Sequence, residues 1–181
     1  MNEGLIPRRY AKALYKLAGE KGKAKQIYGL MNNLGSSFAS TPALQATVSN
    51  PFVSDADKEA LLTTGAAATA DDTLFADFLK LLAENRRIDM TGAIARAYSD
   101  LYRRENRIHA VTVTSAAPMA PEDEKRLKEL ILRHLDGGTM EYRSLVNPDL
   151  LGGFTVNIGN EKLDASIANE LKQLRLNLLS K

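Results

Sequence analysis

Hydrophobic residues in roughly the first 105 positions recur at the spacing of amphipathic α-helices. In the first such segment, Tyr10, Leu14 and Leu17 share a face, and Lys12 and Lys16 lie on the opposite one. Five further segments repeat this period, over residues 27–38, 42–49, 54–65, 74–82 and 94–101. Because the connections between the segments are short, the pattern predicts an all-α six-helix bundle.

Residues with known capping preferences mark the ends of several of these helices. Pro42 suits the first position of a helix, and Asn50 with the proline after it stops that helix. Ser54 and Asp57 resemble a capping box in which aspartate replaces the usual glutamate. Asp72 places negative charge at the start of the strongly apolar fifth helix.

The hydrophobic period changes after the charged stretch 103–107. Residues 108–115 are β-branched and alternate, which predicts a strand, and residues 140–146 alternate in the same way. Between them, a helix begins at Pro121 and carries Leu127, Leu130 and Ile131 on its inner face. A hairpin and a last helix follow. We therefore expect a small mixed α/β domain in the order β-α-β-β-β-α, with domain ranges 1–105 and 106–181.

The segment 147–166 specifies more backbone geometry than any other part of the chain. Phosphate-binding loops lie between a strand and a helix N-terminus, whereas Gly152 and Gly153 precede the alternating strand that begins at Phe154. A bend or a close backbone approach is therefore the preferred interpretation. Gly159 and the asparagine after it predict a two-residue hairpin turn, and Asp164 occupies the position of a helix N-cap. Since no catalytic side chain accompanies this geometry, the segment favours docking over chemistry.

Composition gives little support for catalysis. The 181 residues are 44% hydrophobic and 25% charged, with a formal net charge of +2, no cysteine and two histidines. The histidines, His109 and His134, lie far apart and lack local partners for acid–base or metal chemistry. No apolar run reaches the roughly 18 residues that span a bilayer, and the start lacks the apolar core of a signal peptide. We expect a soluble intracellular protein that is not an enzyme and needs no cofactor or metal.

Two surface features suggest partners, and each has a structural alternative. The first 25 residues carry seven Lys or Arg residues against two glutamates, which indicates either a solvated helix face or an anion-binding face. Alanine and leucine on short helices indicate either close core packing or a groove for an amphipathic partner helix. A basic first helix would also suit a nucleic-acid-binding adaptor, although the small net charge disfavours it. An enzyme that binds phosphate at the glycine pair is a further alternative.

Several segments resemble one protein family in the right order. Residues 9–18, Asn50-Pro51 with Lys58, residues 78–87 and residues 113–116 are similar to successive parts of the delta subunit family of the rotary F-type ATP synthase, which includes the oligomycin-sensitivity-conferring protein. The most specific resemblance rests on a structural motif of seven residues: Leu150, Gly152, Gly153, Phe154, Gly159, Asp164 and Ser166. The ordered set covers nearly the whole chain. Asp149 and Ala165 depart from the serine and glycine that are common in the family.

This resemblance implies a structural subunit of an ATP-synthesising complex. In the family, the helical domain binds the amino-terminal helices of the alpha subunits on the catalytic head, and the second domain holds the b-type subunits of the peripheral stalk. The implied location is the cytoplasmic face of a bacterial inner membrane, which the protein reaches only through the complex. The implied head-binding groove lies between the first and fifth helices and carries over to six residues: Tyr10, Ala13, Leu14, Asp77, Phe78 and Leu81.

Overall fold

The computed structural model describes residues 4–135, 137–159 and 161–179. The chain divides into two units, of which one extends to Tyr102 and the other begins at Arg103. The first part is helical and the second combines helices with a sheet, which confirms the predicted division of fold class. Asn160 of the predicted hairpin turn lies outside the described residues.

Helices form all the regular structure of the first part. In chain order they are α1 (Leu5–Glu20), α2 (Ala24–Ser40), α3 (Pro42–Ser49), α4 (Asp55–Gly65), α5 (Thr73–Glu84) and α6 (Thr91–Glu105). A single 3₁₀ turn, Ile88–Met90, leads into α6. The predicted boundaries hold at α3, which has Pro42 in its first turn and ends before Asn50.

The cap of α4 differs in one detail from the predicted box. The Ser54 hydroxyl accepts the backbone N–H of Asp57 at 3.2 Å, as an N-cap should. The Asp57 carboxylate, however, accepts the hydroxyl proton of Ser54 at 2.6 Å rather than the backbone N–H of Ser54. The aspartate side chain is one methylene shorter than glutamate, and here it uses the nearer donor.

The core of the helical unit is mainly aliphatic, with a few aromatic side chains. Its largest fully buried members are Tyr98, Phe75, Leu14, Ile27, Met31, Leu34, Leu62, Leu79, Leu82, Ile94 and Val48. Tyr98 illustrates how a polar group is accommodated there, because its hydroxyl donates to the carbonyl oxygen of Ala24 at 3.2 Å. Burial raises the pKa of the Tyr98 phenol, so the hydroxyl stays protonated and keeps this bond.

The second unit contains a four-stranded sheet in the order β2-β1-β3-β4. Its elements are β1 (Ile108–Ser115), α7 (Pro121–His134), β2 (Thr139–Val146), β3 (Gly153–Ile158), β4 (Glu161–Ser166) and α8 (Ile167–Leu179), with a 3₁₀ turn at Pro148–Leu150. Strand β1 pairs with β2 in parallel and with β3 antiparallel, and β3 pairs antiparallel with β4.

One face of this sheet carries the core of the second unit. The register aligns Val113 with Val156, so alternate residues of β1 and β3 point to the same face. On that face Val111, Val113 and Val156 pack with Ile131 of α7 and with Leu135, which follows it. The apolar stripe predicted on α7 is only partly buried, because the side chain of Leu130 remains 59% exposed.

Candidate docking surfaces

Five of the six residues implied for head binding fall into two groups in the structure, and the sixth, Tyr10, is half-buried. Ala13, Asp77 and Leu81 are exposed, and Leu81 keeps 46% of its accessible surface. Leu14 and Phe78 are buried, with 1% and 6% exposed. Position along the helix gives the reason. Leu14 lies on the same stripe as the buried Ala11 and Ala18, whereas Ala13 points outward.

Tyr10 joins the two helices at the surface. Its half-buried ring meets the ring of Phe78 edge to face, with centroids 6.5 Å apart and planes at 68°. This contact brings α1 and α5 together at Tyr10 and Phe78. The exposed and half-buried members of the two helices form what we call the α1–α5 strip, namely Tyr10, Ala13, Leu17 and Leu81.

Leu17 is a member of this strip that is not among the six residues implied for head binding. It is 40% exposed, although it shares the apolar period of Tyr10 and Leu14. Helical periodicity identifies an apolar stripe but not which edge of the stripe meets the rest of the protein. The width of the stripe was the available signal for exposure. Tyr10, Ala13 and Leu17 all lie to one side of the Leu14 row, so the apolar stripe is wider than the surface that contacts the core.

The start of α5 is fixed by a buried carboxylate. Asp72 is 7% exposed, and its carboxylate accepts the backbone N–H of Thr69 at 2.7 Å and the Thr69 hydroxyl at 3.0 Å. The side-chain amide of Gln26 on α2 donates to the same carboxylate. The backbone N–H of Thr69 is the main reason that the pKa of Asp72 lies below its ordinary value. The predicted charge at this helix start is therefore also a link between the turn, α2 and α5.

The glycine pair of the second unit lies where three backbone segments converge. The carbonyl oxygen of Gly152 accepts the N–H of Ile167, the first residue of α8, at 3.1 Å. The carbonyl oxygen of Gly153 accepts the N–H of Ala116 at 3.2 Å, just beyond the end of β1. Gly153 has φ of +72°, and a Cβ there would collide with the backbone of Ala165 on β4. The predicted close backbone approach is confirmed.

The other residues of the seven-residue motif lie at separate points of the same segment. Leu150 ends the 3₁₀ turn, Phe154 begins to cover the core, and Gly159 follows β3 with φ of +56°. The prediction that Asp164 is the N-cap of the last helix is wrong by two residues. Strand β4 extends to Ser166, and the Ser166 hydroxyl accepts the N–H of Asn169 at 3.2 Å.

Asp164 instead orients the residue that caps the helix. One of its carboxylate oxygens accepts both the backbone N–H of Ser166 at 3.2 Å and the Ser166 hydroxyl at 2.5 Å. The hydroxyl bond is the largest cause of the lowered pKa of Asp164, and Lys162 adds to it with an ion pair at 3.0 Å. Because β4 keeps pairing with β3 as far as Gly153, the chain stays extended past the position at which the sequence places the cap.

An apolar cavity of about 420 Å³ opens between α7 and the β3–β4 hairpin. Leu130 from α7 and Leu163 from β4 line it and are 59% and 61% exposed. The aromatic ring of Phe154 and the side chain of Ile158 form part of its floor. The cavity is thus an open apolar site within the second unit. The sequence pattern did not indicate it, because Leu130 was placed on the inner face of α7.

The two histidines lie on different elements of the second unit. His109 is half-buried on β1, and His134 lies at the rim of the apolar cavity with Nε2 3.8 Å from Oε2 of Glu161. Within the described residues, no group of three or more His, Asp or Glu side chains is placed to share a metal ion. In the same part of the chain, none of the helices combines the length and the apolar composition needed to cross a bilayer.

Comparison with known proteins gives one consistent family. The family model described as "ATP synthase delta (OSCP) subunit" matches residues 6–178. An ATP synthase subunit delta from Parabacteroides distasonis is 36% identical over 179 residues, which cover 99% of this chain and 98% of the relative. The subunit delta of Bacteroides thetaiotaomicron is 34% identical over 182 residues, covering 100% of this chain and 97% of the relative.

A solved structure shares the fold. A chain in the cryo-EM structure of the Toxoplasma gondii mitochondrial ATP synthase hexamer superimposes with a TM-score of 0.69 at 23% sequence identity. The match covers 96% of this chain and 97% of the other.

Proposed function

Because the chain belongs to the family of ATP synthase delta (OSCP) subunits, we propose that it is a non-catalytic stator subunit that tethers the catalytic head to the peripheral stalk. A static tether prevents the head from turning with the central stalk, so that proton-driven rotation is coupled to ATP synthesis. The observation that carries the proposal is the family match over residues 6–178, which includes both units.

The helical unit is the part that binds the head. Its helices form a six-helix bundle within residues 1–105, and the α1–α5 strip receives the amino-terminal segments of the alpha subunits. The exposed residues Ala13, Asp77 and Leu81 contact the partner, whereas Leu14 and Phe78 support the strip from the core. An apolar strip between two helices suits a partner helix with anchors at i, i+3, i+4 and i+7.

The second unit, within residues 106–181, holds the b-type subunits of the peripheral stalk. The support for this assignment is the open apolar cavity between α7 and the β3–β4 hairpin. Leu130 and Leu163 are the residues that a stalk segment would cover there. Burying two half-exposed leucines would add about 1–2 kcal/mol each to binding.

A stator needs rigid junctions rather than reacting groups. Torque on the tether is resisted by the backbone bonds that join β1, β3, β4 and α8 around Gly152 and Gly153. No cofactor enters this function. The expected location is the cytoplasmic face of a bacterial inner membrane, reached through the other subunits of the complex.

Calorimetric titration with a peptide from the alpha subunit's amino terminus tests the head-binding role. We expect one peptide to bind per chain with a dissociation constant of about 10 μM or tighter, which corresponds to a binding free energy of about −7 kcal/mol. Absence of heat at about 100 μM peptide would contradict the stator proposal. The variant Leu81→Glu, whose side chain is half-exposed, should abolish binding while leaving the fold intact.

A nucleic-acid-binding role, the alternative to the stator proposal, predicts that the chain binds DNA. Affinity for single- or double-stranded DNA would then fall steeply between about 50 and 200 mM salt because counterions are released. We expect no such binding, since the net charge is only +2 and the relatives reported above are ATP synthase subunits.

A further inference from the structure

Four of the six tyrosines form one cluster inside the helical unit. Tyr15 of α1 meets Tyr98 and Tyr102 of α6 edge to face, with ring centroids 6.0 and 6.2 Å apart. Tyr28 of α2 stacks on Tyr102, with centroids 4.2 Å apart and planes at 15°. The four rings therefore form an unbroken series across three helices. The proposed stator role uses none of these side chains.

The contact between Tyr28 and Tyr102 is the closest in the cluster. Aromatic pairs usually keep their ring centroids about 4.5–7 Å apart, in offset or edge-to-face arrangements. At 4.2 Å and 15°, these two rings lie face to face in van der Waals contact. Both residues are buried, with 8% and 9% of their surfaces exposed, so the close packing around them holds the arrangement.

Two stacked phenols are arranged for a specific oxidative reaction. One-electron oxidation of a tyrosine near neutral pH also releases its phenolic proton and leaves a neutral phenoxyl radical, whose unpaired spin is shared with the ring carbons beside the oxygen. When two such radicals face each other, these carbons form a carbon–carbon bond. The hydrogens on the bonded carbons then move as protons to the two oxygens, which restores both phenols. The net change is the loss of two electrons and two protons.

The composition of the chain directs oxidation toward this cluster. The chain contains no cysteine and no tryptophan, the side chains that compete best with tyrosine for one-electron oxidation. Tyr15 is half-buried, so an oxidant reaches the cluster there, and electron exchange between touching rings carries the oxidised site to Tyr102. Tyr98 is a poor end point, because its hydroxyl donates to the carbonyl oxygen of Ala24, which is too weak a base to take up the proton.

We propose that Tyr28 and Tyr102 are an oxidative modification site, at which a one-electron oxidant such as a peroxide-derived radical forms a dityrosine bond between α2 and α6. Two successive oxidations are required, one for each phenol. The bond closes a loop of about 75 residues, and it stabilises the helical unit as a disulfide would, by restricting the unfolded chain. It thus supplies a covalent cross-link in a chain that has no cysteine.

Photo-oxidation of the full-length protein with a ruthenium tris(bipyridine) sensitiser and persulfate tests the proposal. The light dose is limited so that few chains are oxidised more than twice, and the protein is kept dilute. We expect dityrosine fluorescence and an intact mass lower by two hydrogen atoms, without joining of separate chains. Trypsin releases Tyr28 in the peptide 26–58 and Tyr102 in the peptide 97–103, so the joined peptides identify the bond. Fragmentation of the shorter peptide distinguishes Tyr102 from Tyr98.

Phenylalanine variants give the matched test, because they keep each ring and remove one phenol. Tyr28→Phe and Tyr102→Phe should each abolish the intramolecular product. Tyr10→Phe is the control, since Tyr10 meets Phe78 rather than another tyrosine, and it should leave the yield unchanged. The helical unit of the oxidised wild-type chain should unfold about 10 °C or more above that of the untreated chain. The same treatment of Tyr102→Phe should give no such rise.

Oxidation in concentrated urea shows whether the fold directs the reaction. The unfolded chain should lose the preference for this pair. An equal yield of the Tyr28–Tyr102 product in urea would overturn the proposal, because the stacked contact would then have no role. A bond between Tyr15 and Tyr102, or bonds only between separate chains, would overturn it as well. Oxidation of the tyrosines without any dityrosine would show that the cluster serves aromatic packing alone.

Discussion

The backbone of Gly153 approaches the carbonyl group of Ala165 so closely that no side chain fits between the strands at this position. The same residue has φ of +72°, a conformation that L-residues with a Cβ rarely adopt. Two separate constraints therefore require glycine here. Gly153 and Ala165 connect β3 to β4 at the start of α8. The requirement for glycine therefore acts at the junction that holds the proposed stalk-binding unit together.

We predict that Gly153→Ala destabilises the second unit by about 3 kcal/mol or more, from backbone strain together with a steric clash. Gly159→Ala is the matched control, since Gly159 also has positive φ but open space around a Cβ. It should cost only about 1 kcal/mol. Hydrogen exchange of the β3 and β4 amides measures both values. Equal costs for the two variants would mean that the close approach to Ala165 does not constrain the fold.

Ser166→Ala should destabilise the start of α8 by about 1 kcal/mol, because the hydroxyl caps the N–H of Asn169. Asp164→Ala should also destabilise it, since Asp164 orients that hydroxyl. The double variant should cost less than the sum of the two, because both side chains belong to one hydrogen-bonded unit. Amide exchange at Asn169 measures each variant, and strictly additive costs would contradict a shared cap.

The sequence predicts the type of each element better than it predicts where the elements end or which of their residues are exposed. Apolar periodicity gave the helical first part and the α/β second part, and it identified the apolar face of α2, where Ile27, Leu30 and Met31 are buried. Local capping preference placed the cap of α8 at Asp164. This was wrong because local preference cannot show how far the pairing of β4 with β3 continues. Leu14 and Leu17 share one stripe in sequence, yet only contact with the other helices separates the buried residue from the exposed one.

Asp72→Asn should destabilise the helical unit by about 1–2 kcal/mol at neutral pH, because a charged acceptor of the Thr69 N–H is lost. The folded state lowers the pKa of Asp72 below its ordinary value of 3.8. Its contribution is therefore complete above that value and is lost as the pH falls through the lower folded-state pKa. The difference between the wild-type chain and the variant should shrink in acid.

Thermal unfolding at several pH values, followed by circular dichroism, measures this effect. Asp71→Asn is the neighbouring control, since Asp71 is exposed, and it should change stability by less than about 0.5 kcal/mol. A stability difference for Asp72→Asn that stayed constant from neutral pH to below pH 3 would show that the ionised carboxylate is not the stabilising group.

Leu14 and Leu81 provide a final test, because they separate support of the docking strip from contact with its partner. Leu14→Ala should cost about 2–5 kcal/mol, since the side chain is 1% exposed and its removal leaves a cavity. Leu81→Ala should cost less than about 1 kcal/mol, because the side chain is 46% exposed.

For binding of the alpha-subunit peptide, the two substitutions should rank the other way, with the larger effect at Leu81. At a temperature where both variants are folded, Leu81→Ala should weaken the affinity about tenfold, and Leu14→Ala should change it little. Denaturant unfolding and calorimetry on the same samples measure both quantities. A loss of affinity that followed stability across the two variants would show that the strip acts through the integrity of the bundle rather than through direct contact at Leu81.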